Sequence, residues 1–459
     1  LNNEGTLGFS FSLEQLLKHK AMWLPEHDAF ISLGDSHIDF NSHLRSLQGK
    51  RTLDRVNIEP DASLDKYKLL WTDLGNPAIS DPSWEGWQTR WKGTKGHLTV
   101  TAPAHGSIYK IAFDRWGNIR PDFASPHKFR LDLIWQDSQW KGQRITNGLP
   151  VIVTSLEKND QFCEIEQFAA PVRDIDTYVS GYIPGIAFSK IKIDGKPGTT
   201  NFDIRIDQDS ELAETAFEQF NSSTWLVSDK KSGNIIMILE SKSNITITGG
   251  HGEAENENKS RILLSVKGEV RINKPVEVVF KLASPTIPSS QLSYLRNYSF
   301  PTAKNDVMQY WEQWENNGAQ FSVPEKEVNE LYRANLWHAL ILPRHTIGTD
   351  NKPHMDIPYA NTAYGQQNAD WPINQAVYVD YMIYGLRGYY TVAEDEFLSM
   401  FRTQQLADGR VGGFANWGVY SPGQLYAIAQ NYLLSRDRKQ FEKLLPYAIK
   451  TLDWCLLEI

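Results

Sequence analysis

The feature that most constrains this chain is a change in the spacing of its apolar residues. From about residue 97 to 284 they recur at every second position or in short β-branched runs, and after Pro324 they recur at helical spacing. The strand-like runs fall at 98–101, 108–113, 129–135, 151–154, 162–168, 186–193, 202–206, 235–239, 245–247, 262–266 and 276–282. Turn signals such as Arg115-Trp-Gly-Asn118 and Asp194-Gly-Lys-Pro197 separate them. Many short strands with no long helix between them predict an antiparallel sandwich rather than a parallel α/β sheet. Within it, Glu164 and Glu166 alternate with apolar neighbours and are expected on an exposed strand face. Residues 1–95 are mixed, with a short helix near 12–20 and an aromatic cluster at Trp84, Trp87 and Trp91.

Residues 285–318 have helical spacing at 291–298 and 304–316, with Trp311 and Trp314 three apart, and read as a linker that clamps the sandwich to the helices beyond it. Pro324 suits the first position of an amphipathic helix over 325–341. Two apolar helices, 372–386 and 421–434, are each entered through a long loop of carboxylates, amides and aromatics and left through a short turn. An outer helix over 391–405 carries Glu394 and Glu396 near its start, where the helix dipole favours acids. Ser421-Pro-Gly-Gln424 and Asp437-Arg-Lys-Gln440 read as capping boxes of the last two helices. The alternation of long loop, helix, short turn and helix places both long loops at one end of the array. The sequence stops in or just after the fifth helix, so the remainder of a helical domain, or a partner chain, is expected to cover the inner apolar faces.

Composition removes several function classes. A net charge of −8 with no Lys/Arg block argues against nucleic acid, and no apolar run approaches the ~20 residues of a membrane span. Cys163 and Cys455, far apart, make neither a disulfide framework nor a metal signature. Nucleotide, dinucleotide, serine-hydrolase and zincin motifs are absent from the sequence. The 15 Trp and 19 Tyr exceed what a core requires and suit stacking on sugar rings, with sheet-to-helix packing as the alternative for any one of them.

The linker WEQWEN, the entry VPEKEVNELYRANLWHAL, the loop and helix YGQQNADWPINQAVYVDYMIYGLRGYY, the segment FRTQQLADGRVGG and the entry NWGVYSPGQ together resemble the six-hairpin glycosidase superfamily. The likeness leans towards bacterial rhamnosidase-like or glucuronidase-like members. It implies an α+β multidomain chain: a region with an N-terminal antiparallel β-sandwich (1–284), a helical linker (285–320), then the first hairpins of an (α/α)6 barrel carrying the active site at its mouth (321–459). Because about five of twelve helices are present, a catalytic carboxylate from later hairpins is expected outside this sequence. The resemblance, with the missing start Met, implies a periplasmic or secreted bacterial enzyme that degrades an oligosaccharide or polysaccharide, and it leans towards inversion.

Glycosidic cleavage needs an acid to protonate the leaving oxygen and a base or nucleophile opposite, ~5 Å apart for retention and ~6.5–9.5 Å for inversion. Asp370, in NADWP at the entry of an inner helix, is the first candidate; an N-cap role is the structural alternative. Asp356, in HMDIPY, is the second, because no helix cap explains it. Asp408, in an Asp-Gly turn, and Asp380, mid-helix and expected to pair with a neighbour or a polar patch, are set aside. Gln366, Gln367, Asn416, Trp417, Tyr359, Tyr364, Trp371 and Tyr420 are candidates for sugar contacts, and Arg344 and His345 for a substrate carboxylate. No cofactor is expected, and His345, His354, Asp350 and Asp356 match no metal signature. The alternatives are a disaccharide phosphorylase, a polysaccharide lyase using a Tyr/His pair, or a non-catalytic glycan-binding protein.

Overall fold

The computed structural model of the protein describes residues 13–24, 29–47, 98–121, 129–173, 180–208, 215–252, 260–347, 351–356, 376–412 and 418–458. Contacts divide the chain into two compact units, Leu1–His97 and Leu98–Ile459. In the first, helix α1 (Leu13–His19) precedes an antiparallel hairpin, β1 (Ala21–Leu24) and β2 (Ala29–Ser32), and then α2 (Phe40–Leu47). Leu16 and Met22 form its small core with Ile31 and Leu33. The Trp84 cluster lies outside the described residues.

The second unit opens with two antiparallel sheets. One contains β3 (Leu98–Thr101), β4 (Ile111–Asp114), β5 (Ile119–Pro121), β6 (Phe129–Ile134), β11 (Gly198–Gln208), β15 (Ile245–Gly252) and β16 (Ser260–Val270), in the order β15-β16-β11-β6-β5-β4-β3. The other contains β7 (Gln139–Thr146), β8 (Leu149–Lys158), β9 (Gln161–Pro171), β10 (Gly185–Gly195), β12 (Thr215–Asn221), β13 (Thr224–Asp229), β14 (Ile235–Glu240) and β17 (Val276–Ile287), in the order β12-β13-β14-β17-β10-β9-β8-β7. Phe113, Leu131, Ile204 and Leu264 of the first meet Ile152, Ile165, Ile191 and Phe280 of the second in one apolar core. The sandwich is therefore as the spacing predicts. The period missed β5, β7, β12 and β13: β7 and β12 are sheet edges with mostly exposed or half-buried side chains, so no apolar alternation marks them, while β5 is only three residues long and β13 carries just the short run Trp225–Val227 between polar residues.

The two sheets differ in their second faces. The seven-stranded sheet keeps one face polar, with cross-strand pairs Arg205–Asp132 and Arg261–Asp207 on it, the latter at 2.6 Å. The eight-stranded sheet is covered on both faces, and β8 and β14 accordingly read as nearly continuous apolar runs. Its outer face takes the linker, α3 (Leu292–Asn297) and α4 (Phe300–Asn316). Helix α4 starts at Ser299, whose hydroxyl accepts from Thr302 N, and buries Phe300, Ala303, Val307 and Trp311 along one stripe. Phe168 and Phe188 stack at 5.1 Å, and Phe300 sits 5.0 Å from Phe168. Glu166 is paired with Lys304 of α4 and, at 3.4 Å, with Lys190. Its carboxylate is thus part of the clamp and not simply a solvated strand face. Fully buried Lys281 donates to Leu295 O at 2.6 Å, answering a free carbonyl of α3.

The helical region then runs as α5 (Lys326–Ile341), a hairpin of β18 (Arg344–Ile347) and β19 (Pro353–Asp356), a π-helix (Val377–Tyr384) with a 3-10 turn (Gly385–Arg387), α6 (Tyr390–Gln404), α7 (Tyr420–Ser435) and α8 (Arg438–Leu457). Three sequence expectations need correction. Pro324 lies before the cap position, Glu325, and is not the first helical residue. Ser421 lies inside α7, which begins at Tyr420; its hydroxyl instead accepts from Val411 N at 2.9 Å, pinning the preceding loop. The first inner helix is π-type where described, with Tyr381 N donating to Ala376 O at 2.9 Å, an i to i+5 bond. The β-branched and aromatic run VYVDYMIY has weak α preference. The Asp437 cap forms as expected, accepting from Gln440 N at 3.0 Å.

Candidate active site

Local geometry brings the roots of both long loops to one end. Gly388, at φ +85°, turns the chain between the π-helix and α6, so these run antiparallel. Helix α7 runs parallel to the π-helix: Gly423 lies beside Val377, and further along Asn431 Nδ2 donates to Asp380 O at 3.4 Å. The loops before the π-helix and before α7 therefore enter from the same side, where α6 ends. There Arg402 donates to Pro353 O at 3.1 Å and ties the β18–β19 hairpin to that end.

The hairpin is also the seam with the sandwich. His345 N donates to Gly106 O at 2.8 Å, Gly181 N to His345 O at 2.9 Å, and Ile108 N to Gly181 O at 2.7 Å, so two sandwich loops are tied to the hairpin and to each other through their backbones. Only glycine fits at Gly106, where a Cβ would stand 2.4 Å from the His345 ring, and at Gly181, where it would stand 2.1 Å from Gly106 O. Fully buried Arg344 donates to Ile108 O at 2.6 Å and fully buried Lys110 to Pro343 O at 3.0 Å. His105 Nδ1 lies 2.8 Å from Leu340 O, with its ring 4.2 Å from that of Trp314. Burial, then His345 and Lys110, bring His105 down to about 3, and burial followed by Lys110 lowers His345. Both imidazoles are therefore neutral at neutral pH.

Of the candidates, Arg344 and Asp356 hold facing positions in the β18–β19 register, with His345 opposite Met355 and Thr346 opposite His354. Arg344 is fully buried, and His345 is half-buried at the seam. Tyr420 opens α7 nearly buried, at the root of the second loop. Asp370, Tyr359, Tyr364, Gln366, Gln367, Trp371, Asn416 and Trp417 lie outside the described residues, as does Asp350. Among the described residues, no group of three or more His, Cys, Asp or Glu is placed to hold a metal ion.

Sequence reasoning misses the polar groups beneath this end. Asp380 and Glu396, equally far in sequence from Gly388, meet between the π-helix and α6, both fully buried. The expectation that Asp380 pairs or meets a polar patch holds; Glu396, in the sequence, is only an acid near a helix start. Fully buried Ser421 and Gln424 and nearly fully buried Asn431 line the inward face of α7. Their spacing of three and seven is the available signal, hidden because Ser421 and Gln424 read as a capping box at the helix start.

No protein-family model and no curated protein matches the sequence. Solved structures do. A bacterial glucoamylase complexed with acarbose is similar at 11% identity and TM-score 0.46, over 78% of this chain and 58% of that one. A family GH92 alpha-mannosidase from Bacteroides thetaiotaomicron is similar at 10% identity and TM-score 0.34, over 77% and 62%. A heparan sulfate lyase from Pedobacter heparinus is similar at 8% identity and TM-score 0.23, over 50% and 49%. The chain thus spans less than two thirds of the length of each. No described helix is long and apolar enough to cross a membrane.

Proposed function

We propose that this chain acts as a glycoside hydrolase on an oligosaccharide or polysaccharide, with region 321–459 contributing to its catalytic face. The observation that carries the reading is the convergence of three segments at one end of the helical array: the β18–β19 hairpin ending at Asp356, and the roots of the loops holding Asp370 and Trp417. A sandwich loop closes on the same hairpin. Loops gathered at one end of parallel inner elements, rich in carboxylates, amides and aromatics, supply what sugar recognition and acid/base cleavage require. Asp370 and Asp356 would act as acid and base, the aromatics would stack on sugar faces, and inversion would result if a water fits between the carboxyls.

A panel of oligosaccharides, with release of reducing ends as the readout, tests this. Asp370→Asn and Asp356→Asn are each expected to lower kcat by ~10²–10⁴-fold while substrate still binds. Dependence of turnover on phosphate would replace hydrolysis with phosphorolysis, and a new double-bond absorbance in the product would replace it with elimination. Glycan binding without any turnover would leave a binding protein.

A further inference from the structure

The sandwich loop through residues 181–184 is fixed by backbone bonds at both ends. Gly181 N donates to His345 O at 2.9 Å, Gly181 O accepts from Ile108 N at 2.7 Å, and Pro184 O accepts from Val172 N at 3.0 Å. Between those ties Gly181 and Ile183 are buried, while the Tyr182 ring stands 51% exposed. A second tyrosine meets it from the neighbouring loop: the half-buried Tyr109 ring lies 6.1 Å away, edge to face at 68°. The fully buried Ser107 hydroxyl reaches Tyr109 O at 3.1 Å and Ile183 O at 3.5 Å, and so joins the two loops. The pair adjoins the candidate face. Gly181 is bonded to His345, His345 lies opposite Met355 in the β18–β19 register, and Asp356 follows Met355.

Large apolar groups scattered singly over a surface call for no explanation. Tyr182 differs in that its backbone is held. Gly181 beside it admits no side chain, since a Cβ there would stand 2.1 Å from Gly106 O, and the contact with Tyr109 limits how the ring can turn. A ring already ordered loses little freedom when a ligand arrives. Tyrosine also joins an apolar face to a hydroxyl at its rim, which suits a pyranose, whose apolar face is bordered by hydroxyls. We infer that Tyr182, braced by Tyr109, is a sugar-stacking subsite on the sandwich side of the candidate face, taking a pyranose unit remote from the bond that is cleaved. The inference rests on the glycoside-hydrolase reading for its choice of a sugar chain as ligand. Its consequence is a preference for longer chains over short ones.

Gluco-, manno-, galacto- and xylo-oligosaccharides, each as a ladder from disaccharide to hexasaccharide, test this with the full chain. Calorimetry reads binding, and release of reducing ends reads turnover. In the wild type, Kd and KM are expected to fall as units are added. In Tyr182→Ala, both should rise roughly 2- to 10-fold for the longer members, while the values for the disaccharide and kcat throughout stay unchanged. Tyr182→Phe keeps the ring and should keep the length dependence. Thermal unfolding of both variants should match the wild type, because the ring is exposed. A loss in Tyr182→Ala that is equal at every length, or no loss, overturns the subsite and leaves the hydrolase reading standing. Length-dependent binding that Tyr182→Ala abolishes, with no turnover of any ladder, supports the subsite and overturns the hydrolase reading. Neither binding nor turnover overturns both.

Discussion

The sandwich and the first helical hairpin solve the same burial problem differently. In the sandwich, charged groups are matched across neighbouring strands, as in the Arg120–Asp132 pair at 2.7 Å, and apolar side chains from both sheets fill a single closed core. In the helical region, carboxyls are buried against each other while large apolar groups face out, among them Tyr378, Met382, Leu433 and Leu456. The sheets owe their stability to apolar area and ladder pairing. In the helical hairpin, buried carboxyls raised by desolvation make stability depend on pH. The difference teaches that the two regions should respond to different perturbations.

The largest effect should come from the doubly covered sheet. Phe188→Ala removes a ring stacked on Phe168 and edged by Tyr298 and Phe300, and is expected to cost about 3–5 kcal/mol in urea unfolding. A cost under about 1 kcal/mol would erase the contrast. Next is a pH-dependent effect in the helices. Glu394 is pushed up to about 7 by burial, then by Asp437 and Asp395, with Lys443 opposing. A raised carboxyl lowers stability as pH climbs from 4.5 to about 7. Glu394→Gln should thus leave stability unchanged at pH 4 and raise it by about 1–2 kcal/mol at pH 8, the figure reduced because the site is only partly shielded. Equal effects at both pH values would remove Glu394 as a contributor.

Asp437→Ala should be smaller, about 1 kcal/mol, through loss of the N-cap bond to Gln440 N. Circular dichroism during thermal unfolding would detect it, and rescue by Asp437→Ser would assign it to capping rather than to charge. Smallest is Met382→Ala. Met382 is 50% exposed on the π-helix, and its truncation should change stability by under about 0.5 kcal/mol. A larger loss would mean that this face is covered in solution.

How much can be read in the sequence depends on how each feature is written there. Strands with one wet face alternate, and strands with two dry faces run apolar, so β8, β11, β14 and β17 are marked. Edge strands such as β7 are not, because nothing apolar selects their register. The cap at Asp437 needs only its own turn and is legible, whereas Ser421 satisfies the same pattern yet bonds to Val411, since a distant loop claims its hydroxyl first. At the candidate site, Asp356 and Arg344 stand out as residue types, but their facing register is a property of pairing.

By itself, then, the sequence determined the antiparallel sandwich, the linker, the five described helical segments after Pro324 and the single-ended arrangement of the long loops, because periodicity and turn chemistry are local. Tertiary structure alone decided the π-helix, the seam built on Gly106 and Gly181, and the meeting of Asp380 with Glu396. Each of those depends on how closely two distant backbones approach, and no local pattern carries that distance.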